Sequence, residues 1–451
     1  MRFAAWLTVA ALSLVSASVR ADPFEFMRAL TLHPSDPRLM ALRYENAYGG
    51  LLLSRDGGHT FSLLPSLAIG SYPLRGHSPM LFARDGTLLV ATDSSVLVDD
   101  GTGCRFGGAG PLEDKWVADI APHPSDPDVI FALTVASQEG DGHAGLWRRT
   151  ASALTPLGTS DPAPGTQRRH RVLPTSLKVV ARAASAGGLR FVVGAVVSED
   201  GDPSKPTKHA LRVSDDQGAT WTTHEIPTGA GVAGVPLLLA IEGSDPFRAL
   251  VALQVGLNED TSEQSGPEPV DPIFLTTDSA ATFSPHNAGM KMGDQALLLP
   301  SGQVLIADRG RGGGLWSAAS IDAPLSKIQE EPVHCLAYRP ETDTVFMCRG
   351  HELGVLDLAA NSFCAFFQMN DVLSLQSCPS QPIEGNKQAI DQLCNKWCGA
   401  QHFSSSPACA SSPALASCVA FGRAYDADAG IVEAPGDFAA PSCPPPALPP
   451  P

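Results

Sequence analysis

Short apolar runs alternate with polar turns along most of the chain. A representative run, Val129-Ile130-Phe131-Ala132-Leu133, begins two residues after a Pro-Ser-Asp-Pro turn. Such runs are rich in β-branched residues, and Gly and Pro, 42 and 39 in number, recur between them. Helices need longer segments with an apolar residue every three or four positions. The pattern therefore predicts β-strands joined by turns.

One of these turns is repeated. His-Pro-Ser-Asp-Pro stands at residues 33–37 and again at 123–127, with partial copies at 243–246 and 339–343. Each copy lies between two apolar runs. An Asp side chain can accept a hydrogen bond from the backbone ahead of it, and Pro presets φ. Each copy therefore predicts a strand–turn–strand unit.

A second repeat lies further along the same units. It occupies residues 54–61 and 214–221, with a weaker copy at 276–283. In each copy an Asp can accept backbone N–H groups within the turn, a Gly can adopt a positive φ, and an aromatic ring can bury between sheets. The residues that carry the repeat are Ser54, Asp56, Gly58, Thr60 and Phe61, then Ser214, Asp216, Gly218, Thr220 and Trp221, and then Asp278, Thr282 and Phe283.

These octamers resemble the Asp box of BNR-repeat β-propellers, a superfamily with sialidase-like, sortilin-like and photosystem II assembly factor-like members. In those families the box lies on the turn between the third and fourth strands of a blade, away from the ligand-binding face. The resemblance therefore implies a structural role for Asp56, Asp216 and Asp278, rather than calcium binding or catalysis.

The two repeats together divide the chain into seven units of four strands, with about 50 residues in each. The sequence thus predicts an all-β fold, a seven-bladed β-propeller with four-stranded antiparallel blades, over residues 22–370. Six or eight blades stay open, because the units without a clear second repeat are placed by spacing alone. The predicted units start near Phe26, Ser78, Trp116, Leu173, Val235, Asp294 and Val333, and the last ends near Asn370.

Residues 1–21 are typical of a signal peptide. Met1-Arg2 is a basic start, an apolar run follows, and small residues near Ala21 suit cleavage. We expect a secreted or periplasmic protein. The run is too short to span a bilayer, and no later run approaches the necessary length, so no transmembrane segment is expected.

All ten cysteines follow this segment, and their even number favours disulfides in an oxidising compartment. Cys335 and Cys348 fall on the first two strands of the last unit. If Tyr338 pairs with Val345, the two cysteines face each other across the hairpin at a distance that suits a disulfide.

Residues 371–440 form a cysteine-rich segment of helical composition, and residues 441–451 a Pro-rich tail that we expect to be extended and solvated. Cys394 and Cys398 lie one helical turn apart, which predicts a small disulfide-rich helical module with nested Cys398–Cys409 and Cys394–Cys418 bonds. A zinc site is the alternative, but His402 is the segment's only histidine.

Four cysteines have no clear partner from the sequence. They are Cys104, Cys364, Cys378 and Cys443, of which Cys364 and Cys378 are the nearest in sequence.

The formal net charge of −16 disfavours binding to nucleic acid. In a propeller, the loops between second and third strands share one face with the loops that join blades. In this chain both kinds are long, for example Leu257–Val270 and Ser160–Val172. We call this the loop-rich face and expect the ligand site there.

Arginines are the candidate ligand residues on this face, because a guanidinium suits carboxylate, phosphate or sulfate. The alternative is that they are solvated or paired with nearby acids such as Asp308, Glu352 and those of the Glu259–Glu268 loop. The candidates are Arg309, Arg311 and Arg349 on adjacent blades, the run Arg168, Arg169 and Arg171, and Tyr48 on a further loop.

The function predicted from the sequence is therefore an exported propeller that binds a protein or a saccharide on its loop-rich face, with anionic ligands among the candidates. A divergent Asp-box glycoside hydrolase is the alternative. The Arg-Ile-Pro motif of sialidases is absent, and no pair of carboxylates is singled out by its spacing. No catalytic residue, cofactor or metal is predicted.

Overall fold

The computed structural model describes residues 27–44, 50–65, 79–92, 95–101, 106–112, 115–135, 145–150, 153–157, 170–182, 188–199, 207–228, 234–243, 246–255, 270–286, 289–291, 293–310, 312–368, 374–375 and 443–448. The predicted signal peptide lies outside these ranges, and so does the predicted helical module apart from residues 374–375. Within the described part of the chain, no helix is long and apolar enough to cross a membrane.

The described strands form seven sheets, each built from four antiparallel strands of one continuous stretch of chain. We number these blades one to seven in chain order. The strands of the first four are β1 (Met27–Leu32), β2 (Met40–Tyr44), β3 (Gly50–Ser54), β4 (Ser62–Pro65); β5 (Met80–Phe82), β6 (Leu88–Ala91), β7 (Val96–Asp99), β8 (Phe106–Gly108); β9 (Val117–Pro122), β10 (Ile130–Thr134), β11 (Gly145–Arg149), β12 (Leu154–Leu157); and β13 (His170–Ala181), β14 (Leu189–Glu199), β15 (Thr207–Ser214), β16 (Thr222–Glu225).

The other three blades follow the same order. A two-residue strand, β29 (Ser374–Leu375), adds to blade one in parallel with β4 as a fifth strand. The strands of blades five to seven are β17 (Val235–Glu242), β18 (Arg248–Gln254), β19 (Ile273–Thr276), β20 (Ser284–Pro285); β21 (Gly293–Leu298), β22 (Val304–Asp308), β23 (Gly314–Ala318), β24 (Ser326–Gln329); and β25 (Cys335–Arg339), β26 (Thr344–Arg349), β27 (Glu352–Asp357), β28 (Ser362–Gln368).

The seven-bladed propeller predicted from the sequence is therefore confirmed. The first strand of each blade begins within three residues of its predicted start. Apolar clusters join each blade to the next, for example Leu51 and Val90 between blades one and two. Because both faces of a blade are covered, its middle strands are mostly apolar, and every residue of β2, β3 and β22 is buried.

The three copies of the second repeat form the same turn between the third and fourth strands of their blades. In blade four, Asp216 accepts hydrogen bonds from the Thr220 backbone N–H at 2.8 Å and from its hydroxyl at 2.6 Å. The Ser214 hydroxyl accepts the N–H of Gly218, whose φ is 84°. Asp56 and Asp278 hold their turns in the same way.

The aromatic residues of this repeat differ in burial. Phe61 is buried, at 1% exposure, whereas Trp221 and Phe283 are partly buried and pack against the edges of apolar clusters. Phe61 contacts Phe367 of blade seven with 4.3 Å between ring centroids. Trp221 instead has the Arg212 guanidinium over its ring at 5.3 Å.

Histidine organises the His-Pro-Ser-Asp-Pro turns, a role that the sequence analysis assigned to Asp and Pro alone. His33 Nδ1 accepts the N–H groups of Ser35 at 3.1 Å and Asp36 at 2.7 Å. His123 does the same for the second copy. Both rings must keep Nδ1 unprotonated to accept these bonds, and burial lowers the pKa of both.

Two disulfides are present among the described residues. Cys335 and Cys348 are bonded, with 4.8 Å between their Cα atoms and the expected pairing of Tyr338 with Val345. Cys364 is bonded to Cys443, a pairing that the sequence left open. The predicted bonds among Cys394, Cys398, Cys409 and Cys418 lie outside the described residues, as does Cys104.

Part of the Pro-rich tail contacts the propeller, although none of its described residues, 443–448, is buried. The Cys443 N–H donates to the carbonyl of Ala365 in β28 at 3.0 Å. Leu448 lies against Gly57 in the second-repeat turn of blade one. The sequence pattern missed this contact because it depends on a disulfide between residues 79 positions apart.

Replacing Asp216 by Ala should lower the free energy of unfolding by about 1 kcal/mol, because two hydrogen bonds to Thr220 are lost at an exposed turn. Urea denaturation measures the change. Asp216→Asn is the control, since its amide oxygen can still accept the Thr220 N–H. An Ala variant as stable as the wild type would contradict a structural role for this carboxylate.

The histidine turns should make stability depend on pH. Because the folded-state pKa of His33 and His123 is lowered, their contribution is present above the unfolded value of about 6.5 and is lost as pH falls through the folded value. The variant His33→Asn with His123→Asn keeps an acceptor but cannot be protonated. Denaturation at a series of pH values should show a smaller loss of stability on acidification for this variant; an equal loss would exclude these histidines as a cause.

Candidate functional site

A channel runs between the first strands of the blades, at the centre of the ring. Its cavity has a volume of about 260 Å³ and is lined by residues of all seven innermost strands. Most of these residues lie near the start of their strands, and innermost strands start at the loop-rich face. The lining residues include Arg28, Met80, Asp119, Ser176, Leu238, Gln295 and Leu336, one from each blade in turn.

Irregular pairing shapes this part of the channel. In five of the seven innermost strands, one residue near the start is skipped in the register with the second strand, as in a β-bulge. A bulge turns a side chain away from its regular direction. The skipped residues are Arg28, Ala118, Thr175, Leu239 and Asp294.

The residue after the bulge often links its blade to the next. Asp119 Oδ2 accepts the Leu177 N–H at 2.7 Å, Ser176 Oγ accepts the Leu238 N–H at 2.9 Å, and Gln295 Oε1 accepts the Leu336 N–H at 3.0 Å. Gln295 Nε2 also donates to the carbonyl of Arg28 in blade one at 3.1 Å. We call these hydrogen bonds the polar belt. It satisfies backbone groups on the inner edge of strands that have no sheet neighbour there.

Four cationic side chains line the channel: Arg28, Arg43, Lys178 and Arg309. Among the described lining residues, Asp119 is the only carboxylate. The channel is therefore positive, although the chain as a whole carries a net charge of −16.

Burial raises the pKa of Asp119 to about 6, and it does so against Lys178 and the backbone N–H donors, which act in the opposite direction. Nearby, burial lowers the pKa of His334 to about 3, and the charges of Arg28 and Arg309 lower it further. His334 is therefore neutral near pH 7 and adds no charge to the channel. Asp119 is the lining group whose charge changes in mildly acidic solution.

The structure separates the arginines that the sequence grouped together. Arg309 lines the channel. Arg349 instead forms ion pairs with Glu331 at 2.6 Å and Glu352 at 2.9 Å, and it lies over the ring of Phe363. These ion pairs are what the alternative of pairing with nearby acids expects for Arg349. A joint anion site of Arg309, Arg311 and Arg349 stays a prediction.

The remaining predicted ligand residues are not placed by the structure. Arg168, Arg169, Arg311 and Tyr48 lie outside the described residues. Arg171 is in β13, but its side chain is not described.

The sequence analysis missed Arg28, Arg43, Lys178 and Asp119, which belong to four strands in three different blades. None of them lies in a repeat or a charged run. The available signal is a charged residue within a predicted innermost strand, which applies to Arg28, Asp119 and Lys178 but not to Arg43 in β2.

The loop-rich face also carries exposed apolar side chains. Trp116, which precedes β9, and Val270, which precedes β19, are each 49% exposed. Both strands begin at this face, so both side chains lie on the side of the ring where the channel is lined.

Neither a protein-family model nor a curated protein matches this chain. Solved structures with a similar fold include the GH74 xyloglucanase from Xanthomonas campestris, at 14% identity and a TM-score of 0.43, covering 74% of this chain and 52% of that one. YCF48 from Cyanidioschyzon merolae is 11% identical with a TM-score of 0.44, covering 73% and 94%. The C-terminal WD40 domain of Sif2 is 12% identical with a TM-score of 0.41, covering 75% and 83%.

This chain thus spans about half the length of the xyloglucanase that it resembles. At 11% to 14% identity the likeness to these structures concerns the fold alone.

Proposed function

We propose that this protein is an exported binding module that holds an anionic group of a protein or saccharide in the channel at its loop-rich face. The observation that carries the proposal is the composition of the channel lining, where four cationic side chains surround a single described carboxylate. Guanidinium and ammonium groups bind carboxylate, phosphate and sulfate through charge-assisted hydrogen bonds. A partly enclosed site also strengthens these interactions relative to water.

The size of the channel limits what can enter it. A volume of about 260 Å³ is below the range of about 300–1,000 Å³ that is usual for sites that enclose a small molecule. It suits one acidic group at the end of a larger ligand. The rest of that ligand would lie across the loop-rich face, where Trp116 offers an aromatic surface and Val270 an apolar one.

The glycoside hydrolase alternative requires a second carboxyl group at a suitable distance from the first. Asp119, with its pKa raised to about 6, has the character of a general acid. However, both of its carboxylate oxygens accept backbone N–H groups, from Leu177 and Ile120. This arrangement favours a structural role over proton transfer.

Binding should depend on the channel cations. The variant Lys178→Gln with Arg309→Gln should bind sulfated or uronic-acid oligosaccharides and acidic peptides at least about tenfold more weakly, since each lost charge-assisted bond is worth about 1 kcal/mol or more. A glycan and peptide array identifies the probe, and calorimetry measures its affinity. The same probes are assayed for hydrolysis, and release of product would favour the glycoside hydrolase.

The matched control is Arg38→Gln with Arg84→Gln, which removes two exposed cations from turns on the opposite face of the propeller. This control should bind like the wild type. Equal weakening in both double variants would indicate a general charge effect and would contradict a channel site.

The affinity for an anion should also rise in mild acid. As pH falls through about 6, Asp119 becomes neutral and no longer repels the ligand. Asp119→Asn should bind more tightly than the wild type at pH 7 and should lose this pH dependence. Calorimetry with a sulfated probe, whose own charge is constant over this range, is the measurement; an unchanged pH profile in Asp119→Asn would refute the assignment.

A further inference from the structure

The junction between blade seven and blade one differs from the other six junctions. Elsewhere, the fourth strand of one blade leads along the chain into the first strand of the next. The four antiparallel strands of blade one are β1–β4 and those of blade seven are β25–β28, so neither set of four is completed by a strand from the other end of the chain. The two-residue strand β29, which follows blade seven, adds only to the outer edge of blade one. The ring must therefore be closed at this junction by other contacts.

Part of the closure is made directly between the two blades. The Met27 N–H donates to the carbonyl of Gly350 at 3.2 Å. At the opposite face, Arg339 Nη2 donates to the carbonyl of Pro37 at 2.8 Å. Between them the apolar contact of Phe61 with Phe367, described above, joins the two sheets.

The C-terminal part of the chain crosses the same junction. After the outer strand of blade seven, the chain reaches blade one, where β29 pairs with β4. It is back at blade seven at Cys443, which is bonded to Cys364 and donates its N–H to Ala365. Five residues later Leu448 is at blade one again, against Gly57.

Gly57 makes this last contact possible. Its φ is 77°, and a Cβ atom at this position would lie 2.4 Å from Leu448 Cδ2. The leucine therefore occupies space that any other residue at position 57 would fill. This turn is part of the second repeat in blade one, so the C-terminal segment contacts one of the regular turns of the fold.

We propose that residues 443–448 are a clasp that closes the propeller ring at the blade seven–blade one junction, and that the Cys364–Cys443 disulfide is its redox-sensitive bond. The two disulfides of blade seven differ in accessibility. Cys335 and Cys348 are both 0% exposed, whereas Cys364 and Cys443 are both half-buried. Access to a sulfur atom is one of the factors that sets the rate of thiol–disulfide exchange.

The exchange needs an external dithiol. Its thiolate attacks one sulfur of the Cys364–Cys443 bond and displaces the other as a thiolate, which takes up a proton. The second thiol of the reductant then attacks the mixed disulfide. The reductant leaves as a cyclic disulfide, and Cys364 and Cys443 are left as two thiols, so that Leu448 is no longer tethered at the junction.

The first test compares full-length variants by hydrogen exchange. Cys364→Ser with Cys443→Ser should speed exchange in β1, β4 and β28, at the junction, by about tenfold or more, and should leave blades three to five unchanged. Leu448→Asp, which keeps the disulfide, should act on the same strands. Cys335→Ser with Cys348→Ser is the matched control, because it removes the other disulfide of the same blade.

Two results would overturn the clasp. One is faster exchange confined to residues 443–448 in both clasp variants, with β1 and β4 at wild-type rates. The other is an equal effect at the junction from the Cys335/Cys348 control.

The second test applies dithiothreitol to the native, oxidised protein and maps the freed thiols by alkylation. Cys364 and Cys443 should be alkylated well before Cys335 and Cys348, with the increase in exchange at the junction following the same time course. Simultaneous reduction of the two bonds, or reduction of Cys364–Cys443 with no change at the junction, would show that this bond is not a redox-sensitive closure.

Discussion

Both faces of every blade are apolar, and each face is buried only when another blade lies against it. Strands such as β2, β3 and β22 have no exposed residue, so an uncovered blade would present large apolar side chains to water at about 1.5–3 kcal/mol each. A ring gives each blade two neighbours, and it does so only if it is closed. Closure is therefore the constraint on which the rest of the structure depends. Without the contacts at the junction of blades one and seven, one apolar face of each of these two blades would be exposed to water.

Closure also creates a problem at the centre of the ring. The innermost strands converge there, and each has one edge without a strand neighbour, so its backbone groups need other partners. The polar belt of Asp119, Ser176 and Gln295 supplies several of them. The bulges that precede these three residues also change the direction of neighbouring side chains. The geometry that satisfies the backbone thus also makes a polar channel, the cavity in which we propose that an anionic group binds.

The sequence predicted the blades well because turn chemistry is local. His33, Asp56 and their repeats act on backbone groups within four positions, so their spacing marks each blade wherever the turns persist. The channel could not be predicted in this way. Whether Lys178 faces the channel depends on a bulge in β13 and on the approach of six other blades, neither of which has a sequence signature of its own.

Arg349 shows a second limit, because its place in the fold follows from the sequence whereas its ion-pair partner Glu331 does not. It ends β26 at the loop-rich face as expected. Its charge is nevertheless used within the fold by Glu331, eighteen positions earlier, which the local pattern did not connect with it. The same limit applies to Cys364, whose partner lies 79 positions further along the chain.

The contrast between an acidic chain and a cationic channel bears on selectivity. At physiological salt the Debye length is about 8 Å, so the net charge of −16 repels an approaching anion only near the surface, while charges inside the channel are screened less. A long polyanion would meet this repulsion along its whole length and could place few of its charges among the four cations. A ligand with one terminal acidic group would be repelled only as that group passes the surface, and the group would then lie inside the channel cavity of about 260 Å³. The surface charge is thus expected to oppose the binding of nucleic acid. The small channel is expected to favour an acidic group at the end of a ligand over acidic groups along its length.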